Sequence, residues 1–469
     1  MAGIGFELNK LLKRNSFFSD LYAVFYSVNV AAGPWLMSSV TIIILQIILP
    51  KERSEFTISA LIYTFIFSTI IYGGFSTSVT RYLSDLIYRK EYGKLYLFYK
   101  DTIKYATGSS SLFVILFWAI NYPLKPLRVL VFLHSMILLT VIWVQLTFVT
   151  SIRKFSPVVI AFLSGSFTSL MLCNAWSRYN EELGYLGYNA GLMIIGTVLQ
   201  LVIKRFLFTL QSKKRESLFT RAIKIYPKHA ITGFLIYLAA WIDDFIAWYH
   251  FKYSPTKGFV FAPEYDLPMF YSYLFIIPTM VLFVLNLETE FYKSYRIFYR
   301  SIEENKPLRY INIARSTMDN NLRTSTKIIT SVQVSFTIAG LVISNHVSKL
   351  LGFSEYSSMA LKFGLIGAAA NGLFLYFTLI SYYYDLPDIP LFGSLIAFGI
   401  NLGTSLFFLK RFPGFGFAAA FVISTVFIYG RFKNVYKDIL RFEFNRSKLN
   451  LPKREVIVHE NRQSVQKNV

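Results

Sequence analysis

Apolar runs of about 17 to 25 residues, separated by short charged stretches, recur along nearly the whole chain, and each is long enough to cross a bilayer core roughly 30 Å thick at ~1.5 Å per helical residue. In hydrocarbon no water satisfies a free backbone group, so a spanning segment has to close its hydrogen bonds within itself, which predicts helices. Twelve such runs are read, near 20–49, 57–80, 105–122, 127–149, 157–175, 184–203, 229–249, 268–286, 328–349, 358–380, 389–409 and 413–430. The third is the weakest, because it carries Thr107, Gly108, Ser109, Ser110 and Ser111 near its start. The expected fold class is an all-α integral membrane protein with about twelve transmembrane helices in two six-helix lobes.

Charge placement gives the expected orientation. With the N-terminus inside, 37 of the 48 Lys and Arg residues fall in segments on the cytoplasmic side and 9 on the other, as expected if cations are retained in the cytoplasm. Both termini are then cytoplasmic. The division is 1–203 for the first lobe, 204–228 for a basic cytoplasmic linker, 229–430 for the second lobe and 431–469 for a cytoplasmic tail. Arg431, Lys433, Lys437 and Arg441 lie just inside the membrane, where anionic lipid headgroups would meet them. The tail from about Pro452 reads as disordered. A cleavable signal peptide is not expected, since the N-terminal stretch lacks a compact apolar core before a small-residue cleavage site.

The same composition excludes several function classes. A soluble enzyme of this length would need more surface charge than 16% Asp, Glu, Lys and Arg, against 54% hydrophobic residues, provides. The net charge of +22 resides in loops rather than in a basic groove with stacking aromatics, so no nucleic-acid partner is expected. Phosphate-binding Gly-rich loops, HExxH and GxSxG motifs are absent. The lone Cys173 allows no disulfide framework, and the five His residues, 134, 229, 250, 346 and 459, have no metal-ligand spacing. No catalytic residue, metal or cofactor is expected.

Ionisable groups inside spans are costly, about 2.5–3.5 kcal/mol at a helix centre on insertion scales, and mark functional candidates. The sequence WIDDFIAW, residues 241–248, puts Asp243 and Asp244 well inside the seventh run. Asp243 shares a helical stripe with Ala239 and Ala247, and Asp244 with Ala240 and Trp248. The small neighbours suggest a groove beside the carboxylates, and Trp241 and Trp248 offer flat faces of the kind that pack on sugar rings. An interfacial acidic pair with an aromatic belt is the competing reading. A second cluster has Tyr265 and Asp266 at the outer mouth of the eighth run, Pro278 interrupting it, and Glu288 and Glu290 at its inner end. In the first run Asn29 and the Gly33, Pro34, Trp35 interruption break a long helix, a feature transporters place near substrate. Arg81 and Lys362 read as headgroup anchors.

The residues MAGIGFEL at 1–8, Gly33-Pro34-Trp35, Trp241 with Asp243, YDLPMFYSYLFIIP at 265–278, Glu288-Thr289 with Phe291, and Tyr384-Asp385-Leu386 are together specific. On them the chain resembles the Pel exopolysaccharide transporter family of the multidrug/oligosaccharidyl-lipid/polysaccharide exporter superfamily. The resemblance implies a lumen between two lobes and translocation, in the bacterial cytoplasmic (inner) membrane, of a Pel-type polysaccharide rich in amino sugars. It also implies a cytoplasmic glycosyltransferase and other Pel membrane subunits as partners. Family members typically follow the Asp of the seventh span with a positive residue, where this chain has Asp244. A flippase of lipid-linked oligosaccharide, or a cation-coupled drug exporter of the same fold, is the alternative.

Overall fold

The computed structural model describes residues 33, 36–45, 47, 55–152, 156–207, 217–256, 258–283, 285 and 291–448. Apart from one two-stranded hairpin, its elements are helices. In chain order they are α1 (Leu36–Leu45), α2 (Glu55–Tyr88), α3 (Leu95–Ile120), α4 (Pro126–Ile152), α5 (Ser156–Ser177) and α6 (Glu181–Leu207). The short α7 (Leu218–Ile225) leads into α8 (Pro227–Phe251), the strands β1 (Tyr253–Thr256) and β2 (Phe259–Phe261), then α9 (Pro263–Ser272) and α10 (Ile277–Leu282). The remainder comprises α11 (Tyr292–Glu303), α12 (Leu308–Leu350), α13 (Glu355–Tyr383), α14 (Asp388–Phe408), α15 (Phe415–Lys437) and α16 (Ile439–Lys448). Among the described residues eleven helices are long and apolar enough to cross a membrane. They stand where the sequence places runs two to twelve, and α1 belongs to the first.

The fold is therefore an all-α membrane protein of two six-helix lobes, α1–α6 and α8–α15, the latter counting α9 with α10 as one span and omitting the short α11. The sequence signals at several ends are physical. α6 opens on Glu181 and Glu182 and closes on Lys204 and Arg205, each favoured by the helix dipole at its end. α8 has Pro227 in its first turn, where a missing N–H costs nothing, and stops at Lys252 in a left-handed conformation. α7 is held by two donors' partners: Ser217 accepts from Thr220 N, and the buried Asp101 of α3 accepts from Leu218 N at 3.0 Å.

Two features depart from plain membrane hairpins. The stretch between the eighth and ninth runs contains α11 and the first twenty residues of α12, a helix of 43 residues and hence about 64 Å long. The eighth span is interrupted: α9 passes through a 3₁₀ turn, Tyr273–Ile276, into α10 at Pro278. Gln333 of α12 bridges the break, donating to Phe275 O at 2.8 Å and accepting from Thr279 N at 3.1 Å and Thr279 Oγ1 at 2.6 Å. Freed backbone groups inside a membrane need such a partner.

The lobes meet along α2 and α8, which run antiparallel. Tyr63 stacks on Trp248 with ring centroids 4.6 Å apart and planes 6° from parallel, and Phe67 stacks on Phe245 at 5.6 Å. Midway, Gly73 and Gly233 face each other so closely that a Cβ on either would press on the other's carbonyl oxygen. At the far end Thr77 Oγ1 donates to His229 O at 2.5 Å and Ser78 Oγ to Tyr226 O at 2.6 Å. There Arg81 also pairs with Asp385 at 3.5 Å, so it ties the lobes together rather than only anchoring to headgroups.

Candidate functional site

The acidic residues of α8 are fully enclosed: Asp243 is 0% and Asp244 1% exposed. Asp266, at the start of α9, is 2% exposed and joins them. α8 positions the first two about five turns from its start, by ~1.5 Å per residue some 12 Å from Phe251. The hairpin β1–β2 reverses the chain so that α9 returns antiparallel and lays Asp266 beside Asp244. The carboxyl groups of Asp244 and Asp266 lie within hydrogen-bonding reach of each other, and a hydrogen bond between two carboxyls requires one proton between them. Asp244 Oδ2 and Asp266 Oδ1 accept no donor from the protein.

Asp243 and Asp266 each have a satisfied side. Asp243 accepts from Tyr265 OH at 2.5 Å and from Asn401 Nδ2 of α14 at 2.9 Å. Asn401 also donates to Ala239 O at 2.8 Å and accepts from Ser405 Oγ at 2.9 Å, which fixes its amide orientation. Asp266 Oδ2 accepts from Trp248 Nε1 at 2.7 Å and from Ala262 N at 2.8 Å. Tyr273 OH donates to Ala240 O. Among the described residues none of the three carboxylates makes an ion pair, and no group of three His, Cys, Asp or Glu is arranged to hold a metal ion. The cluster can therefore exchange a proton or accept a cationic group, and its hydroxyl and amide donors suit hydrogen bonding more than bond-breaking chemistry.

The structure brings Asp243, Asp244, Trp241, Trp248, Tyr265 and Asp266 into one neighbourhood. Trp35, Glu288 and Glu290 lie outside the described residues, as does Asn29; Gly33 sits against the ring of Phe162. Where Ala239 and Ala247 suggest a groove, side chains fill the space: Tyr265 and Asn401 close over Asp243. The indoles are likewise covered. One face of Trp248 lies on Tyr63, and Trp241 packs between Phe65 at 6.1 Å and Tyr273 at 4.9 Å. In this conformation neither offers a free face for a sugar ring.

Sequence reading missed Asn401, Tyr273 and Ser405, and a signal for Asn401 was available as an amide in the middle of an apolar run. It also missed the hairpin. Phe259, 1% exposed, enters a socket of four aromatic rings from the first lobe, Phe56 at 5.6 Å, Tyr63 and Phe117 at 5.2 Å and Phe132 at 5.3 Å. Tyr63 OH accepts from Val260 N at 3.0 Å, and Tyr253 OH donates to Glu55 Oε1 at 2.7 Å. The Glu55 carboxylate holds the Tyr253 phenol above its usual pKa range.

Solved structures of MATE transporters share this fold. The eukaryotic MATE transporter AtDTX14 superposes with a TM-score of 0.63, 12% identity, 94% of this chain and 99% of that chain. A point mutant of the Vibrio cholerae MATE transporter VcmN gives 0.58, 13%, 93% and 98%. An outward-facing multidrug resistance MATE family transporter of the MOP superfamily gives 0.56, 11%, 88% and 96%. At such identities the likeness concerns the fold alone. No curated protein matches the chain in sequence. The family model of PelG, described as an exopolysaccharide exporter (EPS-E), matches residues 1–444, and by that match this membrane transporter belongs to the PelG family.

Proposed function

We propose that the chain carries a Pel-type exopolysaccharide across a bacterial inner membrane, taking it from a cytoplasmic glycosyltransferase and releasing it on the far side. The termini and the basic linker 204–228 are cytoplasmic in this reading, and the β1–β2 hairpin is external, which the distribution of cations supports. Residues 1–203 and 229–430 act as the two lobes, and polymer passes between them. Other Pel membrane subunits and lipids surround the spans.

The observation that carries the mechanism is the cluster Asp243, Asp244 and Asp266, buried within the spans and without an ion pair among the described residues. Closely spaced carboxylates repel unless a proton or a cation lies between them. An amine of the passing polymer, or a coupling proton, fills that role, and Tyr265, Trp241 and Trp248 form the wall of the route when the lobes part. Glu288 and Glu290 extend it towards the cytoplasm, and Trp35 contributes from the first span.

The test replaces Asp243 with Asn, which keeps shape and removes charge. Secreted polymer should fall sharply at unchanged membrane level and melting temperature, and Asp244→Asn should match it if the carboxylates act as a unit. Normal secretion from both variants refutes the site. Efflux of cationic dyes by the parent, with no dependence of polymer secretion on it, would replace this reading with a drug exporter.

A further inference from the structure

We propose that the β1–β2 hairpin is a strap that closes the external end of the path, with Phe259 as its bolt and Asp266 as the residue that links the strap to the carboxyl cluster. The proposal deepens the exporter reading and rests on it for the orientation. Three sets of contacts carry it.

The strap crosses from one lobe to the other. It leaves the second lobe at Phe251 and returns to it at Pro263, yet Phe259 is packed entirely among first-lobe rings from α2, α3 and α4. Gly258, at φ +88°, brings the turn against the α3–α4 connection: a Cβ there would lie 3.1 Å from Asn121 Cβ and 3.2 Å from Leu124 Cδ2. The Val260–Tyr63 and Tyr253–Glu55 hydrogen bonds fix both strands to α2. The lobes cannot separate at this end while the ring remains in its socket.

Tyr63 is common to the strap and to the seam between the lobes. Its ring meets Phe259 at 5.2 Å and stacks on Trp248 at 4.6 Å, while its hydroxyl accepts from Val260. Withdrawal of the strap therefore removes two of the partners that hold Tyr63 against α8.

Asp266 is common to the strap and to the cluster. One of its oxygens accepts from Trp248, the seam residue, and from Ala262 N, the residue that joins β2 to α9. The other side of the same carboxyl meets Asp244. A cation arriving between Asp244 and Asp266 pulls on an acceptor that orients both the indole at the seam and the root of the strap. Occupancy of the cluster and release of the external closure are thus mechanically connected through one side chain, with no need for a long relay.

The test reads access to the seam, with no polymer required. Ala240→Cys, a buried position one turn from Asp244, is placed in a Cys173→Ser background and exposed to a membrane-impermeant maleimide on right-side-out membranes. The parent strap should protect it. Phe259→Ala should raise the labelling rate by about tenfold or more, since it empties a fully buried aromatic socket. Phe259→Leu, which fills more of the socket, should raise it less and guards against misfolding of the alanine variant. Asp266→Leu, which removes the acceptor shared by Trp248 and Ala262, should raise labelling, whereas Asp266→Asn, which keeps an acceptor oxygen, should raise it less. Labelling unchanged in Phe259→Ala and Phe259→Leu at equal folded amounts overturns the strap. Labelling that responds to Phe259 and not to Asp266 overturns the link. A deletion strain that still secretes polymer refutes the exporter reading and leaves the labelling result intact.

Discussion

Gly73 and Gly74 are neighbours on α2, and adding one methyl group to each should move stability in opposite directions. At Gly73 a Cβ would stand 2.8 Å from Gly233 O and 3.2 Å from Tyr237 Cε2, and the carbonyl belongs to the α8 backbone, which cannot rotate away. At Gly74 the nearest atom is Phe234 Cδ2 at 3.9 Å, an ordinary contact. Glycine inside a helix is about 0.5–1 kcal/mol less favourable than alanine. Gly74→Ala should therefore stabilise the protein by up to that amount. Overpacking a tight contact costs about 1–3 kcal/mol, so Gly73→Ala should lose up to about 2.5 kcal/mol, and about 1–2 kcal/mol for a mid-range overpacking cost, after the helical gain is subtracted. A loss of that size raises the fraction of parted α2–α8 pairs by about 5–30-fold. Hydrogen–deuterium exchange of the α8 peptides 227–240 in detergent, together with melting temperature, reads both variants. Faster exchange and a lower melting temperature are expected for Gly73→Ala alone. Identical behaviour of the two variants would show that the helices do not approach each other at this glycine.

Gln333→Leu should leave Phe275 O and Thr279 N without their partner, at a cost of about 1–3 kcal/mol, and speed exchange of the 273–280 amides, while α13 amides keep their protection. Asp101→Ala removes the acceptor of Leu218 N and should loosen α7 by about 0.5–2 kcal/mol, as for a lost helix cap. Tryptic cleavage at Lys213, Lys214 and Arg215 should then run faster than in the parent, and unchanged cleavage would refute the capping role.

What the sequence made legible, and what it left obscure, follows from how a bilayer selects residues. Span number and position were readable because hydrocarbon thickness dictates the length of each apolar run whatever its neighbours. Faces were not, since lipid-facing and protein-facing residues are both apolar in a membrane and no amphipathic stripe separates them. Trp248 illustrates the loss: it read as a face for sugar, and its partner Tyr63 comes from a helix of the other lobe. The acids of WIDDFIAW were conspicuous as charges inside an apolar run. Their partners were not, because Asn401 is 158 residues from Asp243 and Asp266 reaches Asp244 only through the turn of the hairpin. The helices α11 and α12 were hard to read for a different reason: polar residues cover their exposed faces, so the stretch between the eighth and ninth runs shows no apolar run although 292–303 and 308–327 are helical.

Asp244 is where the departure from the family pattern and the geometry meet. The family that the sequence resembles typically sets a positive residue there, which would neutralise Asp243 directly; here the second carboxyl faces a third, Asp266, and one proton between the two would satisfy both. Asp244→Asn supplies an amide N–H to Asp266 without needing that proton, so the fold should keep its melting temperature. Asp244→Leu, of similar bulk, leaves a buried Asp266 oxygen with no partner and should lower stability by about 1–3 kcal/mol. Export separates the roles, because only a carboxyl can release a proton or receive a cation. If Asp244→Asn is as stable as the parent and fails to export, the exchangeable charge at this position is what transport uses. If it is as stable and exports normally, the carboxyl pair serves packing alone, and the charge that the polymer or proton meets is Asp243.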